Sequence, residues 1–337
     1  MVRRGGFLHG YAAPSWRAGR VLRAAVVAFF DGYHCFSPVA AILALPFSAA
    51  VLASQAMAPS SPALRGVSSR LREMFHAAGF PPSSFFALLN GKLSQTVFTF
   101  AATLPFALTF LLLAKACVAG VLAPEALATD PRRRRARTRV SLPPCGAVAR
   151  SYPALLATHL FGSFVMLSAN AAVFSLLFLA FGAADLLGFT SHVSTLALSA
   201  AGAIAYSVAI GVATVVCNLA LVVSAMERGM AGHGAVLRAC VLIRGSVPTA
   251  LALALPTNLG MMAAEALFQL RVVSQRRKAG RLALGVAGEA FSVAYIHALC
   301  VVLEIIVSCM FYRSCCKRSE ADELRELEPE EKGDLQA

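Results

Sequence analysis

The stretch GEAFSVAYIHALCVVLEIIVS, residues 288–308, holds three ionisable side chains in an otherwise apolar run: Glu289, His297 and Glu304. Carboxylates and imidazoles inside a membrane segment are the usual parts of ion paths and proton relays. On a helix, His297 and Glu304 lie about 80° and 60° round from Glu289, so the three share a face. Moving an ionised side chain to mid-bilayer costs about 2.5–3.5 kcal/mol on insertion scales. That face must therefore meet protein or water rather than lipid. At 1.5 Å per residue Glu289 and Glu304 are about 22 Å apart, near opposite ends of a span, with His297 the most central. Two readings stay open. One is a polar track for a proton or ion. The other is two glutamates near the interfaces and one histidine hydrogen-bonded within a bundle.

Other polar residues in apolar runs could face the same track. His159 and Asn170 are eleven residues apart, which returns them to nearly one helical face, and Ser207 and Asn218 repeat that spacing. Glu265 and Asn258 lie in a further apolar run. The alternative use is ordinary interhelical hydrogen bonding, worth roughly 0.6–2 kcal/mol per contact. Lys115 either snorkels toward the end of its helix or pairs with Glu304. Ala203, Ser207 and Gly211 form a ladder of small residues that lets another helix approach closely.

The elements that position these residues follow from composition. The 337-residue chain is 58% hydrophobic and 14% charged, with mean hydropathy +0.69, where soluble domains carry about 25% charged residues. The apolar residues fall in runs long enough to cross roughly 30 Å of hydrocarbon. They predict an all-α polytopic membrane bundle of about six transmembrane helices with interfacial amphipathic helices. The spans are expected at 38–57, 97–122, 154–181, 195–224, 248–268 and 285–311. Pro38 and Pro46 in the first, and Pro248 and Pro256 in the fifth, leave open whether these two cross fully. Three units result: a cytosolic N-terminus, 1–37; the membrane domain, 38–313; and an acidic cytosolic tail, 314–337.

The formal charge is +13. With both termini cytosolic, inner segments hold twenty Lys and Arg against nine in outer loops, the asymmetry expected of cytoplasmic loops. The exception is SQRRKAGR (274–281), basic on the outer side. WRAGRVLRAAVVAFFD (16–31) reads as a basic amphipathic helix in the interface. Between spans one and two, VSSRLREMFHAAG (67–79) puts Val67, Leu71, Met74 and Phe75 near one face, and PPSSFFALLNGKL (81–93) opens with helix-start signals. Two short surface helices are predicted there.

The loop between spans two and three carries Arg132, Arg133, Arg134, Arg135, Arg137 and Arg139. They serve as a topology determinant or as contacts for anionic lipid head groups, at about 1 kcal/mol each. The tail after Lys317 and Arg318 turns acidic, disordered or weakly helical. The nine cysteines show no metal or redox spacing. Cys315 and Cys316, just past the last span beside basic residues, are candidate palmitoylation sites. SPVAAILALP (37–46) and SVPTALALALP (246–256) echo one another, as does VLRA at 21–24 and 236–239. This reads as a degenerate repeat of spans one and two in spans five and six.

HExxH, GxxxxGK[ST] and GxSxG motifs are missing, and no cofactor is expected. Nucleic acid is not an expected partner, since no binding fold or aromatic platform accompanies the arginines. The lipid bilayer is the expected partner, with protein partners reached through the basic loop and acidic tail. The endoplasmic reticulum or plasma membrane is the expected location, with an organelle membrane also open.

DGYHCFSPVAAILALPFSA (31–49), AAGFPPSSFFALLNGKLSQ (77–95), CNLALVVSAMERG (217–229), ACVLIRG (239–245) and EALFQLRVV (265–273) resemble a family of uncharacterised plant multi-pass transmembrane proteins. The likeness spans most of residues 15–316. It implies the multi-pass topology and a plant source, and it brings no ligand or catalytic residue. The units of basic amphipathic helix followed by span are distantly similar to membrane domains beside some glycerophosphodiesterases, which is fold analogy alone. The expected role is a non-enzymatic scaffold or adaptor. The alternatives are a small transporter or channel using the polar face of span six and, third, a lipid-modifying enzyme.

Overall fold

In the computed structural model six helical segments are long and apolar enough to cross a bilayer: Tyr33–Met57, Ala87–Leu122, Cys145–Ala184, Leu196–Met226, Val247–Val273 and Gly285–Ser319. The described residues are 14–57, 61–77, 84–123, 143–188, 191–227, 229–275 and 284–334. Among them every regular element is helical, which makes the chain an all-α helical bundle of the integral membrane type. The helices are α1 (Pro14–Asp31), α2 (Tyr33–Val39), α3 (Leu45–Met57), α4 (Pro62–Ala77), α5 (Ser84–Phe106), α6 (Leu112–Leu122), α7 (Cys145–Leu186), α8 (His192–Met226), α9 (His233–Ile243), α10 (Val247–Phe268) and α11 (Leu284–Asp334).

Spans one and five are continuous through their prolines. Span one joins α2 to α3 through a π-turn at Ala40–Ala44, between Pro38 and Pro46. Span two joins α5 to α6 through a second π-turn at Ala107–Leu111, directly after Pro105. A proline ring displaces the carbonyl four residues back, and a wider turn absorbs that misfit without ending the helix. The π-turn takes an outside partner as well: Tyr152 on α7 donates its hydroxyl to the Leu108 carbonyl at 3.0 Å. Span five stays α-helical through Pro256 and widens only at Gln269–Val273.

Span six, within α11, is the central helix. It packs against spans one, two, four and five and against α1 and α9. That placement explains why this segment tolerates ionisable residues: much of its circumference meets protein. Many of the tightest positions in the core are alanines. Ala25, Ala40, Ala44, Ala114, Ala220, Ala235, Ala239 and Ala298 are fully buried. Small side chains let membrane helices approach closely where no hydrophobic effect between helices drives them together.

The amphipathic N-terminal segment is helical as expected; part of its apolar side meets protein, while Val27 and Phe30 stay exposed. Ala18 and Ala25 join the main core against spans five and six, while Arg20 and Arg23 are exposed on the other side. α4 forms where the first loop helix was predicted. Its Val67, Leu71 and Phe75 are half-buried, but Met74 is 66% exposed and lies off that face. It is tied to span two by Asn90, whose amide donates to the Ser68 carbonyl at 3.3 Å. The second predicted loop helix is not separate. α5 starts at Ser84 and runs straight into span two, because no proline interrupts 84–104. The acidic tail takes the helical of its two expected forms: α11 continues to Asp334 over 51 residues. Glu, Leu, Ala and Arg dominate 320–328, and these are strong helix formers.

Candidate functional site

Two polar clusters hang on span six, a buried one at His297 and a half-buried one at Glu304, about 10 Å apart along the axis at 1.5 Å per residue. His297 is 2% exposed. Its Nδ1 lies 2.9 Å from the Ser48 hydroxyl of span one, and its Nε2 lies 3.8 Å from a Glu265 carboxylate oxygen of span five. Gln55 is within hydrogen-bonding reach of Glu265. The imidazole therefore joins spans one, five and six. Sequence reasoning missed Ser48 and Gln55. They are seven residues apart, polar, and on one face of an apolar helix, a signal that could have found them.

Alcohol, imidazole and carboxylate in a row are also the parts of a nucleophilic triad. Here the alcohol belongs to Ser48, which is 0% exposed. No substrate carbonyl can reach its Oγ in this arrangement. What the row can do is hold three helices together or move a proton along two contacts.

At Glu304 the chain of contacts is Lys115–Asn218–Glu304. The Lys115 ammonium donates to Asn218 Oδ1 at 3.3 Å, and Asn218 Nδ2 donates to Glu304 Oε1 at 2.9 Å. Lys115 is 8% exposed, so it does not snorkel out of the bundle. One amide serves both charged partners, donating to the acid and accepting from the base. The pairing anticipated between Lys115 and Glu304 thus runs through Asn218. Breaking one side of a buried pair is strongly destabilising, because the survivor is left without compensation.

Asn218 and Glu304 also form the floor of a cavity of about 600 Å³ between spans four and five. Its walls are mostly aliphatic, with Ser207 and Asn258 toward one end. Gly211 on span four comes close to Leu251 on span five, where an added Cβ would sit 3.8 Å from Leu251. Ala203 and Ser207, the other members of the small-residue ladder, are exposed.

No hydrogen bond among the described residues joins the remaining track candidates to either cluster. Glu289 is exposed near the start of span six. Asn170 accepts from the Tyr206 hydroxyl at 2.9 Å and donates to its own helix at the Met166 carbonyl, which ties span three to span four. His159 Nε2 is buried without a hydrogen-bond partner among the described residues. Residues 132–139 lie outside the described residues. Cys315 is buried and Cys316 half-buried, both within α11. Near this end Tyr312 donates to Glu227 at 2.6 Å, while Arg318 donates to the Ser246 hydroxyl at 2.7 Å and the Arg244 carbonyl at 3.3 Å. These bonds clasp the end of span six to the segments flanking α9.

A six-span helical bundle of the membrane type, organised around one central polar helix, is the class that fold and site define. The chain belongs to DUF8558, a domain family of unknown function whose model matches residues 19–325, from the amphipathic α1 into the helical tail. No curated protein and no solved structure matches it.

Proposed function

We propose that this protein is a non-enzymatic membrane scaffold, a packed bundle that meets its partners through the basic loop at 130–140 and the acidic end of α11. One observation carries the reading: His297, the most central ionisable group of span six, is shut between Ser48 and Glu265 at 2% exposure. Transport along Glu289, His297 and Glu304 needs a hydrated path past the histidine. The cavity beside span six is lined by Glu304 and not by His297, Glu265 or Glu289. The basic loop adds attraction to anionic head groups, and acylation falls more naturally to Cys316 than to the buried Cys315. The sequence resemblance is what supports a plant source.

A second reading keeps the Ser48–His297–Glu265 row as a proton relay in a small transporter, because its contacts are linear and cross three spans. Thiol accessibility separates the two. Single cysteines at 289, 293 and 297, in a background without the other cysteines, are treated with a membrane-impermeant thiol reagent. The scaffold reading expects reaction at 289 and protection at 293 and 297. Reaction at both deep positions means a water-filled path, and the transporter replaces the scaffold.

A further inference from the structure

The cavity between spans four and five opens sideways. Val208, Leu255, Leu259 and Met262 line it and are each more than half exposed, so in a bilayer its mouth faces lipid tails. It extends along span four from Ser207 to Leu219 and along span five from Ala250 to Met262, about 18 Å at 1.5 Å per residue. At its floor Glu304 accepts one hydrogen bond, from Asn218 to Oε1. The second carboxylate oxygen has no partner among the described residues. An apolar cleft with one unsatisfied polar group is the general form of a small-ligand site.

We infer that this groove binds a neutral lipid alcohol, an apolar body carrying one hydroxyl that hydrogen-bonds to Glu304. The charge balance selects the head group. Lys115 and Glu304 are jointly neutral, whether the proton stays on the amine or has moved to the carboxylate. A ligand ammonium would leave one positive charge uncompensated in a low-dielectric site, and a ligand carboxylate one negative charge. A hydroxyl adds no charge. It also donates and accepts, so it satisfies the free oxygen of Glu304 in either protonation state. The volume, about 600 Å³, falls in the range that small-molecule sites occupy. The inference is independent of the scaffold reading, because a sealed His297 neither requires nor forbids a ligand at Glu304.

The test uses the full chain in phosphatidylcholine nanodiscs and four photoactivatable probes: cholesterol, diacylglycerol, sphingosine and a fatty acid. Labelled peptides are mapped by mass spectrometry after proteolysis. The expected result is labelling by cholesterol or diacylglycerol within 207–219 or 250–262, displaced by the same unlabelled lipid. Which of the two labels separates a sterol from a glyceride source. Gly211→Leu, which projects a side chain into the groove, should lower that labelling about tenfold or more, the loss that displacing even two methylene groups produces. Its melting temperature should stay within a few degrees of the parent. If the variant melts low, Ala254→Leu on the opposite wall carries the same expectation. Labelling of these segments by sphingosine or the fatty acid as strong as by the alcohols overturns the inference. So does labelling that unlabelled alcohol cannot displace, absence of labelling by both alcohols, or undiminished labelling in a folded groove-blocking variant.

Discussion

Lys115 and Glu304, 189 positions apart in the chain, are joined by the single side-chain amide of Asn218, at 3.3 and 2.9 Å. A base from span two and an acid from span six thereby share one neutral mediator from span four. The arrangement keeps both charges hydrogen-bonded inside the bundle without bringing them into direct contact.

Removing either charge should hurt more than removing both. Glu304→Gln leaves the buried Lys115 ammonium without its anion and should cost about 3–5 kcal/mol; Lys115→Met leaves the half-buried Glu304 carboxylate without its cation and should cost less. The double variant removes the mismatch and should recover a large part of that loss. Thermal unfolding of the four proteins in one detergent provides the cycle. Strictly additive losses would mean the two groups do not sense one another.

The His297 contacts should rank by what is left behind. Ser48→Ala removes one interhelical hydrogen bond and should cost about 0.6–2 kcal/mol. His297→Ala removes two contacts and opens a hole at a buried position, so its loss should exceed that of Ser48→Ala. Comparison of melting temperatures decides it; equal losses would assign the whole effect to the serine bond.

Tyr312→Phe deletes the hydroxyl that donates to Glu227 at 2.6 Å and leaves Arg238, 3.5 Å away, as the remaining partner of that carboxylate among the described residues. Hydrogen bonds to charged groups contribute about 1.5–3 kcal/mol. The variant should unfold at lower denaturant with an unchanged slope.

Gly245 has φ +76°, and a Cβ there would stand 3.1 Å from an Arg318 guanidinium nitrogen. Gly245→Ala combines backbone strain with displacement of the clasp, so it should cost more than about 1 kcal/mol. Arg318→Ala breaks the same clasp without the strain. Both should speed proteolytic cutting of α11 beyond Ser319; a cutting rate equal to the parent's would show that the clasp does not restrain the tail.

Hydropathy made the six spans readable, because crossing a bilayer demands length and apolarity and little else. Glu265, His297, Glu304, Asn218 and Lys115 stood out for the same reason, as polar groups where polar groups are costly. Their partners were not legible. Ser48 pairs with a residue 249 positions away, and helical periodicity gives the face a residue occupies but not the helix it meets. The grouping of Glu289 with His297 and Glu304 was geometric alone. Bundle packing splits that face, with His297 turned to spans one and five and Glu304 to span four. Hydropathy does not show that the loop segment at 84–93 merges into span two or that α11 runs so far, because both depend on helix propensity across polar residues.

The unbroken course of α11 has a mechanical meaning. From Glu289 through His297 and Glu304 to Arg318 the backbone is one helical rod, clamped near its lower end by Ser246 and Arg244 and gripped higher up by Ser48 and Asn218. A torque applied at the acidic end has no hinge in which to dissipate before it meets the clamp. Once the clamp slips, the same rotation turns the carboxylate on the groove floor and the imidazole between spans one and five together, as two teeth cut on one shaft.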